Sequence, residues 1–132
     1  MQILIHSELL DDLKLCEKKW YPSIYEEMPR VCRYLSKNGV MPGEGPVHYI
    51  KLTTIRRKTF HAGINLPQEK VGKRKGARII YVKENVNLIK AIYVGGHKDK
   101  RYDDTFLQVD LIQNRYQTEN YLLYTEDFNF RV

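Results

Sequence analysis

The spacing of apolar residues changes period once along this chain, and that change limits the folds it can adopt. Up to about position 38 the period is helical. Leu9, Leu10, Leu13, Cys16 and Trp20 draw one apolar stripe on a helix from about Ser7 to Tyr21. Pro22 ends it. Ile24, Met28, Val31 and Leu35 then repeat every three or four residues, with Gly39 as a natural stop and Pro29 predicting a kink or interruption. The run Met41-Pro42-Gly43-Glu44-Gly45-Pro46 is a loop, and after it the patterns suit strands. These are Val47 to Leu52, Thr59 to Leu66, Ala77 to Val82 and Leu88 to Val94, the last two joined as a hairpin by Lys83 to Asn87. A short strand, Gln2 to His6, precedes the helices. Asp103-Asp104-Thr105 caps a last helix bearing Phe106, Leu107, Leu111 and Ile112, and the aromatic tail from Glu119 reads as extended. The order predicts an α+β domain over residues 1–132: an N-terminal strand and two helices packed on a small, mainly antiparallel sheet, with a C-terminal helix. On this reading one sheet face is covered, and the other face, or one end of the sheet, is free to meet a partner. The tail either completes the core or occupies that partner surface.

Charge is distributed as unevenly as periodicity. Residues 51–101 hold fourteen Lys and Arg against three Asp and Glu, whereas residues 1–50 sum to −1 and residues 102–132 to −4. A surplus of one sign in the middle of a small domain attracts polyanions, of which nucleic acid is the commonest; a solvated basic face is the alternative. At 132 residues, 42% apolar and 29% charged, the chain can bury a core without staples and is not disordered material. No apolar run reaches the roughly 20 residues of a membrane span, and the N-terminus lacks a leader pattern, so a cytoplasmic protein is expected. Cys16 and Cys32 fall in helical sequence without ligand spacing and are expected to be reduced, with no metal site. No cofactor is implied: the glycines around Lys73 lack the spacing of a nucleotide-binding P-loop.

Two motifs carry a family likeness. Gly72-Lys73-Arg74-Lys75-Gly76-Ala77-Arg78-Ile79-Ile80-Tyr81 is a glycine- and lysine-rich loop running into a strand, and Ile92-Tyr93-Val94-Gly95-Gly96-His97-Lys98-Asp99-Lys100-Arg101-Tyr102-Asp103-Asp104 is a strand ending in a basic segment. With the element order, these resemble the RelE/ParE superfamily of bacterial toxins, especially its HigB-like branch. The likeness covers roughly residues 50–105 by motif and the N-terminal third by element order alone. The Gly95-Gly96-His97 step departs from the direct strand-to-cation transition of many members. The resemblance implies a toxin of a type II toxin-antitoxin pair, held silent by a cognate antitoxin. It acts either as a ribosome-dependent messenger RNA endonuclease touching mRNA and ribosomal RNA, or as a non-enzymatic inhibitor of DNA gyrase. A basic binding module without activity is the third reading.

The endonuclease chemistry names its own residues. Scission by the RNA 2'-hydroxyl needs a proton acceptor, positive charge on the phosphorane-like transition state and an acid for the leaving 5'-oxygen, and no metal. His97 is the side chain of the basic segment that titrates near neutrality, hence the acid/base candidate; a turn histidine is the plain alternative. Arg78, projecting from a strand, offers a planar fork to phosphate, or else an ion pair to a helix acid. Lys98, Lys100 and Arg101 lie beyond a strand end, where a loop can wrap a backbone or simply be solvated. Strand alternation separates Tyr81 from Arg78 and sends Tyr81 to the core, which leaves Tyr102 as the tyrosine for stacking or proton donation. Arg56, Arg57 and Lys58, with Lys73, Arg74 and Lys75, are the expected contacts to RNA phosphates. This reading requires the cations to converge on one concave seat.

Overall fold

The computed structural model describes residues 1–47, 49–70 and 76–131. Its elements are β1 (Gln2–His6), α1 (Ser7–Lys19), α2 (Ile24–Asn38), β2 (Gly45–Pro46), a 3₁₀ segment (Ile50–Ile55), β3 (Thr59–Ile64), a 3₁₀ turn (Pro67–Glu69), β4 (Ala77–Asn85), β5 (Leu88–Gly95), α3 (Lys100–Asp103), α4 (Thr105–Gln117) and β6 (Tyr121–Leu123). The strands form one mixed sheet in the order β2-β3-β4-β5-β1-β6. Neighbours are antiparallel except β1 and β5, which run parallel. The protein is therefore α+β, with helices packed on a six-stranded mixed sheet.

Local chemistry explains the helical third. The His6 ring Nδ1 accepts the Glu8 N–H at 3.1 Å and caps α1. Its stripe of Leu9, Leu10, Leu13 and Cys16 is buried against Met28, Val31 and Leu35 of α2. Replacing Leu13, which has no solvent exposure, by Ala would cost about 2–5 kcal/mol. Of the kink or interruption expected at Pro29, the interruption is absent: α2 is one fifteen-residue helix with Pro29 inside it, and its buried apolar face offsets one missing donor. The helix closes at Gly39 with φ 71°, a left-handed conformation that suits glycine. Both cysteines are buried free thiols, and burial pushes that of Cys32 up to about 12.

The sheet half departs from the sequence reading in two places. Of the expected strand Val47 to Leu52, the last three residues instead open the 3₁₀ segment Ile50–Ile55. Leu52 and Ile55 lie on either side of a kink at Thr53, φ 25°, and both are buried in a second core with Val109 and Ile112 of α4. That second core also corrects the expectation of a free sheet face. On β4, Ile79 and Tyr81 face α1 and α2, while Ile80 and Val82 face α4 and the 3₁₀ segment. Both faces of the sheet are covered. The hairpin is as read, Asn85 opposite Leu88 with Val86-Asn87 as its turn. The tail completes the core: β6 pairs with β1, and Phe130 is buried in the first cluster with Tyr124 and Phe128 against it. Among the described residues no helix is long and apolar enough to cross a membrane.

Candidate active site

With both faces covered, the basic half meets solvent at its edges and ends, and one such place is a pocket of about 210 Å³. Its walls include Tyr49, His61, His97, Tyr102, Asp103 and Gln108. Gly95 and Gly96 make this geometry possible. A Cβ on Gly95 would lie 1.8 Å from the Tyr93 hydroxyl, so only glycine lets that ring fold back across the strand end. The hydroxyl then accepts the Gly96 N–H at 3.2 Å and donates to Asp99 Oδ2 at 2.8 Å. Asp99 in turn caps α3, accepting the Arg101 N–H at 2.9 Å. With α3 fixed, Tyr102 is buried and stacks on Tyr93 at a centroid distance of 5.8 Å.

Two imidazoles complete the wall. His97 meets the Tyr102 ring edge-on at 5.1 Å, and its Nδ1 lies 3.1 Å from Asp103 Oδ1, which orients the ring. His61 comes from the middle of β3, opposite Gly45 of β2. A Cβ there would stand 3.2 Å from its Nε2, so the glycine makes room for the ring. Burial, reinforced by the positive charges of Arg78 and His97, holds His61 below the usual histidine range. It is a neutral base near pH 7. Arg78 on β4 is flanked in register by Gly63 and Gly95, neither of which sets a side chain beside it. Burial raises the Tyr102 phenol; the Arg78 charge opposes the rise and Tyr49 adds to it, leaving a protonated hydroxyl at neutral pH.

Of the expected catalytic residues His97 and Tyr102 line the pocket, Arg78 acts on His61 and Tyr102 through its charge without lining it, and exposed Lys98, next to His97, lies 5.5 Å from the Tyr21 ring. Lys100 is exposed on α3. Arg101 departs from the expected free cation. Its Nη2 lies 2.8 Å from Asp99 Oδ2 and 3.1 Å from Asp12 Oδ1. Burial would lower this guanidinium, but the Asp99 hydrogen bonds and both carboxylate charges outweigh it and raise it. Tyr102 has Tyr93 and His97 against its ring and lines the pocket. Arg56, Arg57 and Lys58 are exposed before β3, whose first residue Thr59 pairs with Val82, whereas Arg78 and Gly95 lie toward its other end. Among the described residues no Lys or Arg lines the pocket and Arg56 to Lys58 lie apart from it, so the single concave seat that the electrostatic argument required is not formed by them, and the pocket rests on its imidazoles. Lys73, Arg74 and Lys75 lie outside the described residues.

Sequence reasoning passed over His61. Its signal was the alternation Phe60-His61-Ala62, which turns the imidazole away from the α1 and α2 core; Phe60 and Ala62 both belong to that core. Sequence reasoning also passed over a buried charge network beside the pocket. β1 pairs with β5 only as far as Ile5 opposite Ala91, and beyond it β5 has no strand on that side. There the Val94 N–H donates to Asp12 at 3.3 Å, and the Ile92 carbonyl accepts from Arg115 at 3.0 Å. Arg115 grips Asp12 through both terminal nitrogens at 2.5 and 2.9 Å.

The larger cavity, about 460 Å³, lies on α2 among Arg30, Arg33, Lys37 and Glu126 and holds no group that titrates near neutrality. Among the described residues no cluster of three His, Cys, Asp or Glu side chains could hold a metal. No protein-family profile, no curated protein and no solved structure matches this chain.

Proposed function

We propose that the protein is a ribosome-dependent messenger RNA endonuclease, the toxin of a type II toxin-antitoxin pair, with the pocket as its active site. The observation that carries the reading is the meeting of a neutral imidazole, His61, and a carboxylate-oriented imidazole, His97, in one cavity, with the Arg78 charge acting on His61. In the proposed reaction His61 accepts the proton of the 2'-hydroxyl as O2' attacks phosphorus. The P–O5' bond breaks, and His97 donates a proton to the departing oxygen. The products are a 2',3'-cyclic phosphate and a 5'-hydroxyl end. Arg78 and Lys98 balance the charge that grows on the non-bridging oxygens, and Tyr102 fixes His97 in place. The balance closes without a metal.

A second reading, nucleic-acid binding without scission, draws on the exposed cluster Arg56, Arg57 and Lys58, which lies apart from the imidazoles. Induced expression in a bacterial host, followed by mapping of 5' ends on cellular messages, separates the readings. The endonuclease gives arrest with new 5'-hydroxyl ends, and a His61→Ala, His97→Ala double variant gives neither. Arrest with DNA damage and intact messages favours gyrase inhibition, and no arrest favours the binding module. The antitoxin is expected to cover the pocket mouth with an acidic or apolar segment.

A further inference from the structure

Beside the pocket sits an aromatic ring that the fold does not use. Phe106, the second residue of α4, is 72% exposed, whereas Val109 and Ile112 of the same helix are buried in the second core. A cation is already set against it: the Lys51 Nζ lies 5.6 Å from its ring centroid. Lys51 is itself pinned, because the Gln113 side-chain amide donates to its carbonyl. Two separate stretches of chain tie this pair to the cavity. Tyr49 lines the pocket and Lys51 follows two residues later; Thr105 lines it and Phe106 is the next residue. Beyond Lys51 the chain kinks at Thr53, where φ is 25°, before it reaches the exposed Arg56, Arg57 and Lys58.

We infer that Phe106 and Lys51 form a nucleobase-stacking subsite, on which a single-stranded nucleotide next to the scissile one lays its base while Lys51 meets its phosphate. This rests on the reading of the pocket as an RNA phosphate seat. It places the neighbouring base at Phe106, next to the pocket lined by His61 and His97. A duplex does not fit, because its bases present no free face to the ring. An exposed phenylalanine also suits a protein partner, but a lysine poised over the ring and an adjoining cavity lined by two imidazoles favour a strand of nucleic acid.

The test is equilibrium binding of a short single-stranded RNA blocked by 2'-O-methylation, compared with the same strand made abasic at one position in turn. Wild-type protein should bind the intact strand about ten-fold more tightly than one abasic strand of the set. Phe106→Ala and Phe106→Leu should lose that difference, and Phe106→Trp should keep it. The inference is overturned if Phe106→Ala discriminates as wild type does, if it weakens intact and abasic strands equally, or if Phe106→Leu binds as wild type. It is overturned equally if Phe106→Ala leaves base discrimination intact while abolishing binding to a protein partner. Base discrimination in a protein that cuts no unblocked RNA would uphold the subsite and overturn the endonuclease reading alone.

Discussion

Two charged clusters lie next to each other and use their side chains in opposite ways. In one, Asp12, Asp99, Arg101, Arg115 and Tyr93 saturate one another, and the pairs replace backbone partners that a short β1 cannot supply. In the other, His61, His97 and Asp103 border an open cavity, and only one contact, His97 to Asp103, is made between them. The segment Gly96 to Asp103 feeds both. A basic run along the sequence is thus divided by the fold: Arg101 turns inward to hold the structure together, whereas His97 and Lys98 remain at the surface.

The comparison breaks if the first cluster proves dispensable to folding. Asp12→Ala strands the buried Arg115 and should cost about 3–5 kcal/mol in urea denaturation, whereas His97→Ala should stay within about 0.5 kcal/mol. Next in size is catalysis. His97→Ala and His61→Gln should each slow RNA cleavage by about 10²–10⁴-fold with the melting curve of His97→Ala unmoved. Equal effects on stability and rate at both clusters would erase the distinction.

Smaller effects sharpen it. Burial, with the Arg115 charge adding to it, holds His6 below the usual histidine range; burial, Arg78 and His97 do the same for His61. The folded chain therefore binds fewer protons than the unfolded chain below the unfolded histidine pKa of about 6.5. Stability should be full above that value and fall as pH drops through it toward the folded values, with the urea midpoint lower at pH 5.5 than at 7.5. His6→Asn should reduce the difference. The acid limb of cleavage should likewise have its midpoint below about 6.5, and Arg78→Gln should move it upward by removing a positive neighbour. The smallest effect concerns the remote cations. Replacing Arg56, Arg57 and Lys58 by Ala should lower the log–log salt slope of RNA binding by about 2 if all three meet phosphates, at about 0.7 per contact. An unchanged slope would remove them from the strand's path.

Local signals in the sequence were legible and distant pairings were not. Leu9 to Leu13 and Met28 to Leu35 announce their helices because a helix carries its hydrogen bonds internally, and Asp104 marks the start of α4 by accepting the Phe106 and Leu107 N–H groups. The hairpin at Asn85 was equally plain. Val47 to Leu52 misled because five or six apolar-rich residues look alike as strand and as 3₁₀ segment until α4 arrives against them. His61 escaped notice because the room for its ring comes from Gly45, a neighbour created by β2–β3 pairing. For Arg101 only the nearby Asp99 was visible as a partner; Asp12, on α1, was not. The pocket as a whole draws on β3, the turn after β5, α3 and α4, so no single stretch of sequence contains it.

The most direct test of the account is chemical analysis of the ends made when purified protein, with programmed ribosomes, meets a message carrying a single 2'-deoxy substitution at a mapped cleavage position. The account predicts a 2',3'-cyclic phosphate and a 5'-hydroxyl on the unsubstituted message, no cut at the deoxy position, and no cut anywhere with the His61→Gln, His97→Ala pair. Cleavage that persists at the deoxy position, or in that folded double variant, would contradict it.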